Sequence, residues 1–186
     1  MVTTTETTNI VTQPKIDQQV KPSWSRWLKH FLYLPASHRF FSRQDQHAIS
    51  LAVAQAEQGH VGEIQVVIEG HIPANQAYYQ DVHLRAKQLF AELGVWDTEH
   101  NSGVLLYLNL CERKVEIVID RGINTATEQY VWDQICSKII VSLKQQEYRK
   151  ALVEGVTDIG VVLSQFYHDQ EYSESNELAN APILLR

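Results

Sequence analysis

Residues 95–122 read VWDTEHNSGVLLYLNLCERKVEIVIDRG, and this stretch decides the fold. Residues 103–110 and 115–119 are apolar and rich in β-branched or aromatic side chains, and the polar turn Cys111, Glu112, Arg113 and Lys114 joins them as a β-hairpin. Asp97, Glu99 and Asn101 precede the first strand and Asp120 follows the second. Antiparallel pairing therefore carries all four to one edge of a sheet.

Upstream, GEIQVVIE at residues 62–69 begins with alternation and becomes an apolar run, as a strand covered on both faces requires. Pro73 and Asn75 introduce a helix expected over residues 76–93, with Tyr78, Val82, Leu84, Ala86, Leu89 and Phe90 on its apolar positions. Strand, helix, strand in that order predicts a crossover to the strand at 103–110, so the sheet is mixed: one parallel pair plus the hairpin. Ser42 with Asp45 has capping-box spacing before a helix that ends at Gly59. Beyond Gly122, Thr127 is placed to cap a helix carrying Ile135, Ile139, Ile140 and Leu143, and a last helix over 148–166 carries Leu152, Val156, Ile159 and Leu163.

The flanks differ in character. Residues 1–22 are Thr- and Gln-rich without periodic apolar positions and read as a flexible tail, as do the polar, acidic residues 168–186. Residues 23–41 form an amphipathic helix and linker, with Trp24, Trp27, Leu28, Phe31 and Leu32 at helical spacing among Arg26, Lys29 and His30. The stretch from Trp24 to Leu34 suits either packing on its own domain or attachment to a partner protein or an anionic membrane surface. That leaves one domain at 42–167 in a chain of 186 residues with net charge -6. Residues 1–50 hold 6 Lys/Arg and 3 Asp/Glu, against 10 and 19 in residues 51–186, so the domain itself is acidic. Nucleic-acid binding, which needs a clustered basic face, is disfavoured. Cys111 and Cys136 make no metal spacing or disulfide framework, and no run approaches the roughly 18 apolar residues of a membrane span. The expectation is a soluble, cytoplasmic protein, peripheral to a membrane if the Trp24 helix attaches it.

Several residues together resemble the TPM domain family. They are Gly62-Glu63-Ile64; Arg85, Ala86, Phe90 and Leu93; Val95-Trp96-Asp97-Thr98-Glu99, Asn101 and Gly103-Val104-Leu105; and Glu116-Ile117-Val118 with Asp120-Arg121-Gly122. The likeness spans about residues 44–166, and 95–122 is its most specific portion. The family's founding members are a thylakoid-lumen phosphatase-like protein, a photosystem II repair protein and an acetylcholine-receptor modulator. The resemblance implies an α/β fold, a three-layer α/β/α sandwich on a small mixed sheet containing a βαβ crossover and a β-hairpin. It also implies divalent-cation binding and, in the plant branch, acid phosphatase activity. Many relatives carry a signal peptide before the domain and a transmembrane or Gly-rich segment after it. Lacking both, this chain is similar to a soluble bacterial branch.

The loop 97–101 with Asp120 offers the carboxylate and amide oxygens that calcium or magnesium prefers, so Asp97, Glu99, Asn101 and Asp120 are the expected metal ligands. Asp97-Thr98 and Asn101-Ser102-Gly103 are equally good turn chemistry without a ligand. Glu63, at the head of a strand parallel to 103–110, begins on the same edge and is a second-tier ligand. Arg121 is a second-tier site residue, either clamping a phosphate ester or pairing with Asp120, Glu116 or Glu63. A binding or accessory module with a divalent cation at the acidic edge is the leading expectation. The alternative is a cation-dependent phosphatase hydrolysing phosphomonoesters, in which the cation polarises the phosphate and activates water. No phosphate-cradling Gly-rich loop or nucleophile motif identifies a catalytic residue.

Overall fold

The computed structural model describes residues 8–9, 20–33, 37–124, 127–167 and 177–185. Three strands form the centre of a sheet: β2 (Glu63–Glu69), β3 (Gly103–Asn109) and β4 (Lys114–Ile119). β2 pairs parallel with β3, Glu63 opposite Gly103, and β3 pairs antiparallel with β4, Val104 opposite Ile119. The mixed sheet with a parallel crossover and a hairpin is thus present. Two short strands extend it. β1 (Thr8–Asn9) runs parallel to β4 and β5 (Ile183–Leu185) parallel to β2, giving the order β1-β4-β3-β2-β5.

Helices cover both faces. α2 (Arg43–Ala56), α6 (Gln129–Lys144) and α7 (Tyr148–Tyr167) lie over the side formed by Ile64, Val66, Ile68, Leu106 and Ile117. α4 (Val82–Glu92) covers the other side, where Val67, Leu105, Tyr107 and Val118 meet Ala86, Leu89 and Phe90. Alternate residues of one strand enter different cores, which is the period-2 consequence of the pleat. All seven residues of β2 and all seven of β3 are buried, as expected for strands between two helical layers.

The face under α4 is not purely apolar. Glu69 accepts from Arg85 Nε at 3.1 Å and Nη2 at 2.8 Å, the Tyr107 hydroxyl donates to Glu69 Oε2, and Asn109 Nδ2 donates to the Tyr107 oxygen at 2.9 Å. Each member satisfies the next, and the Arg85 fork ties α4 to β2 through the core.

Local chemistry sets most element ends. Ser42 and Asp45 close the capping box of α2 reciprocally, Asp45 N to Ser42 Oγ and Ser42 N to Asp45 Oδ2. The helix expected over 76–93 is instead two pieces, α3 (Ala74–Ala77) and α4. Asp81 starts the second one by accepting from Leu84 N at 2.9 Å, an N-cap that takes it out of helical dihedrals. Thr127 does not cap α6. Its hydroxyl donates to Ile123 O and accepts from Trp132 Nε1, and Glu128 becomes the N-cap residue without a side-chain bond.

Residues 177–185, expected as part of a flexible tail, run back along the sheet. Leu178 N donates to Glu63 Oε2, Gly70 N to Leu185 O, and β5 adds an edge strand. Residues 168–176 of the expected tail lie outside the described residues. So do residues 1–7 and 10–19 at the other end, apart from which Thr8–Asn9 pair with β4. Among the described residues no helix is long and apolar enough to cross a membrane.

α1 (Trp24–Phe31) folds back onto the domain. Ser23 N donates to Tyr78 O, and Arg26 donates from Nε to Ala77 O at 2.6 Å and from Nη2 to Tyr78 O at 3.0 Å, which satisfies carbonyls at the end of α3. On the buried side His30 accepts from Ile72 N and places Nε2 3.2 Å from Glu112 Oε1. The opposite stripe, Trp24, Leu28, Phe31 and Leu32, remains exposed at 70, 48, 60 and 62%. The helix therefore packs on its own domain, the first of its two sequence readings, and keeps an apolar surface. Leu34 lies outside the described residues.

Candidate functional site

The start of β2, the start of β3 and the end of β4 share one edge. Glu63 lies opposite Gly103, and Asp120 N donates to Gly103 O at 3.0 Å between β4 and the short α5 (Arg121–Asn124). The loop between α4 and β3 closes over that edge through its own side chains. Ser102 N donates to Thr98 Oγ1 at 2.9 Å, Asn101 N to Thr98 O at 3.1 Å, and Ser102 Oγ to Val61 O at 2.6 Å. Thr98 and Ser102 are buried, so they are the inward residues of the loop, and Asn101 takes the left-handed conformation at φ 52°. Asparagine tolerates that region better than most residues.

This packing turns the expected ligands apart. Asp97 and Glu99 are exposed, as is Asn101, and Glu99 Oε2 lies 3.9 Å from His100 Nε2. Among the described residues no three His, Cys, Asp or Glu side chains gather at metal-binding range. Asp120 alone of the four is buried, at 3% exposure. Its Oδ1 accepts from Arg121 N at 2.6 Å, and its Oδ2 is buried with no hydrogen-bond partner. Burial pushes the Asp120 carboxyl above the ordinary aspartate range, while the bond from Arg121 N and the Arg121 charge oppose that.

A residue outside the expected set faces the same space. The Tyr167 hydroxyl, on the last turn of α7, is also buried and unpartnered, and burial with the nearby Asp120 charge pushes its pKa to about 12. Gly122 marks how closely these groups converge. A Cβ built there would lie 2.5 Å from Asn101 O, 3.0 Å from Tyr167 Oη and 3.2 Å from His100 O. Two main-chain carbonyls and a phenol oxygen thus approach Gly122 closely, two residues along the chain from Asp120. The three atoms nearest that position are oxygens, the donor type hard cations select. Tyr167 was legible: it continues the series Leu152, Val156, Ile159 and Leu163 by one further step of four.

The second-tier residues have separate fates. Glu63 accepts from Leu178 N at 3.2 Å and is held above its ordinary pKa first by burial, so the returning C-terminal segment occupies it. That segment also caps the loop, since the Glu177 carboxylate accepts from Glu99 N at 3.1 and 3.2 Å. The Arg121 side chain is exposed and makes no salt bridge among the described residues. Trp96 is half-exposed, its indole donating to Ala91 O at 3.3 Å, which makes it a clasp on the end of α4.

An α/β/α sandwich with buried, unpartnered oxygens at one sheet edge is the class these features define. The TPM domain family matches over residues 36–162, more than half of the chain, and the chain belongs to it. Among solved structures the fold is similar to the BA42 protein of the psychrophilic bacterium Bizionia argentinensis, with TM-score 0.68 and 28% identity over 77% of this chain and 94% of that one. It is also similar to the N-terminal domain of a P. gingivalis protein, with TM-score 0.59 and 20% identity over 72% of this chain and 83% of that one, a likeness of fold alone. No curated protein matches the chain.

Proposed function

We propose that this TPM domain is a binding module that takes one divalent cation, calcium or magnesium, at the Asp120 notch. The observation that carries the reading is the buried, unpartnered Asp120 Oδ2. A buried carboxylate oxygen without a partner is costly, and the cost is removed by protonation, by a neighbouring hydroxyl turning toward it, or by a cation. The Asn101 and His100 carbonyls and Tyr167 Oη, close to Gly122 and two residues along the chain from Asp120, supply further oxygens that a cation there can use. Asp97, Glu99 and the Asn101 side chain then act from the rim through water. A single buried carboxylate among neutral oxygens gives a weak site, with Kd on the order of 10⁻⁴–10⁻³ M.

At a tenfold excess of calcium over Kd, binding stabilises the folded protein by about 1.4 kcal/mol. A thermal melt in calcium will show that upward shift in the wild type and in Asp97→Asn, and will lose it in Asp120→Asn. An Asp120→Asn protein that responds like the wild type removes the notch from the account.

The partner surface in this reading is the Trp24, Leu28, Phe31 and Leu32 stripe, laid on an anionic membrane from the cytoplasmic side. Residues 20–33 hold Lys21, Arg26 and Lys29 and no acidic residue, so the stripe is flanked by positive charge on an otherwise acidic protein. Flotation with anionic vesicles is expected to carry the wild type upward and leave Trp24→Ser/Phe31→Ser behind. Equal flotation of the two proteins would discard the stripe as an anchor.

A second reading, phosphomonoester hydrolysis, rests on the exposed Arg121 next to Asp120. A cation on Asp120 would polarise a phosphate that Arg121 holds.

A further inference from the structure

At the opposite end of the sheet from Asp120, where β3 turns into β4, lies a cavity of about 710 Å³. Its walls come from the segment after α1, the β3–β4 hairpin, and the junction of α6 with α7. Tyr33, Phe40, Leu108, Leu110, Leu143 and Tyr148 form the apolar lining, and the rings of Phe40 and Tyr148 lie 5.2 Å apart. Protein interiors are otherwise close-packed, and this volume falls within the ~300–1,000 Å³ of small-molecule pockets.

The charges around the cavity are unequal. Glu112 accepts from Lys29 Nζ at 2.9 Å and lies 3.2 Å from His30 Nε2, so the one lining carboxylate among the described residues is already paired with α1. Arg113 and Lys144 also line the cavity, are exposed, and have no salt-bridge partner among the described residues. Two unpaired cations above an aromatic floor favour one anionic group on an apolar body and disfavour a cation. Backbone conformation agrees: of the three non-glycine residues with positive φ among the described residues, Arg113 at 55° and Gln146 at 63° line this cavity. Such dihedrals concentrate where a loop is held for a ligand, although turns alone also use them.

We infer that the cavity between the β3–β4 hairpin and the α6–α7 junction binds a small aromatic monocarboxylate. Its ring is taken between Tyr33, Phe40 and Tyr148 and its carboxylate between Arg113 and Lys144. This site is independent of the cation at Asp120, since the two lie at opposite ends of β3.

The test is a titration of the full chain with 2-naphthoate, followed by backbone-amide NMR. Saturable shifts are expected at Leu110, Cys111, Arg113, Leu143 and Tyr148, with Kd raised about tenfold or more in Arg113→Gln/Lys144→Gln, the loss of charge-assisted hydrogen bonds. Both side chains are exposed, so the variant keeps the wild-type fold. The uncharged 2-naphthalenemethanol should bind more weakly than naphthoate and ignore the double substitution, and Trp24→Ser should leave naphthoate affinity unchanged. Absence of saturable shifts at millimolar naphthoate overturns the inference. So does an affinity indifferent to Arg113 and Lys144, or one abolished by Trp24→Ser, which would place the probe on the α1 stripe.

Discussion

Replacing Arg85 with methionine will destabilise the domain by about 3–5 kcal/mol, because it leaves the Glu69 carboxylate buried without its counter-charge. Glu69 is 1% and Arg85 8% exposed, and the guanidinium reaches the carboxylate through Nε and Nη2. Methionine keeps most of the arginine stem's volume, so the loss reports charge rather than a cavity. The Tyr107 hydroxyl, itself held by Asn109 Nδ2, remains on Glu69 but carries no full charge, and cannot replace the fork. Tyr107→Phe, which removes one neutral donor from the same carboxylate, should cost less, about 1–3 kcal/mol. Urea denaturation with an unchanged m value measures both. A change below about 1 kcal/mol in Arg85→Met would mean that the network is not what joins α4 to β2.

Gly103→Ala will be at least as damaging, at more than about 3 kcal/mol or outright failure to fold. A Cβ at position 103 would lie 1.9 Å from Val95 O and 3.0 Å from Val95 C. The obstacle is main chain, which cannot rotate away as a side chain can. Movement of Val95 would displace the loop that seats Thr98 and Ser102 and would break the Asp120 N to Gly103 O bond. Gly59 provides the contrast. It has φ +83° with nothing within 4 Å of a Cβ, so Gly59→Ala meets only the left-handed penalty of about 1 kcal/mol. Comparable losses at the two glycines would contradict the close approach inferred at position 103.

The central sheet was readable because its pattern has few alternatives. Residues 103–110 and 115–119 can bury both faces only as neighbouring strands, and the spacing from residues 62–69 fits one crossover. β2 also held a finer message. Ile64, Val66 and Ile68 alternate with Glu63, Gln65 and Glu69, and the second set faces α4, where the Arg85 network lies. Arg85 stood among the residues of the family resemblance, yet nothing in its spacing to Glu69 or Tyr107 along the chain reveals that they meet. β5 was hidden for a different reason. Its three apolar residues follow a long polar stretch, and an edge strand that short is held by backbone bonds to β2, which composition does not encode.

At the candidate site, the edge was legible and the side chains that face it only partly so. Strand directions alone bring Glu63, Gly103 and Asp120 together. Loop composition cannot tell which side chains point inward: Thr98 and Ser102 do, because their hydroxyls satisfy buried backbone groups, and this turns Asp97 and Glu99 to solvent. Main-chain carbonyls of His100 and Asn101 are invisible to any count of residue types. Glu177 and Leu178 reach the loop and Glu63 from far along the chain, so no local window could have shown that those positions are occupied.

A calcium titration followed by backbone-amide NMR decides whether a cation sits at Asp120. Saturable shifts are expected at His100, Asn101, Asp120, Arg121 and Gly122 with Kd on the order of 10⁻⁴–10⁻³ M, absent in Asp120→Asn. Unmoved resonances at those five residues in millimolar calcium, or shifts of equal size in Asp120→Asn, would contradict it.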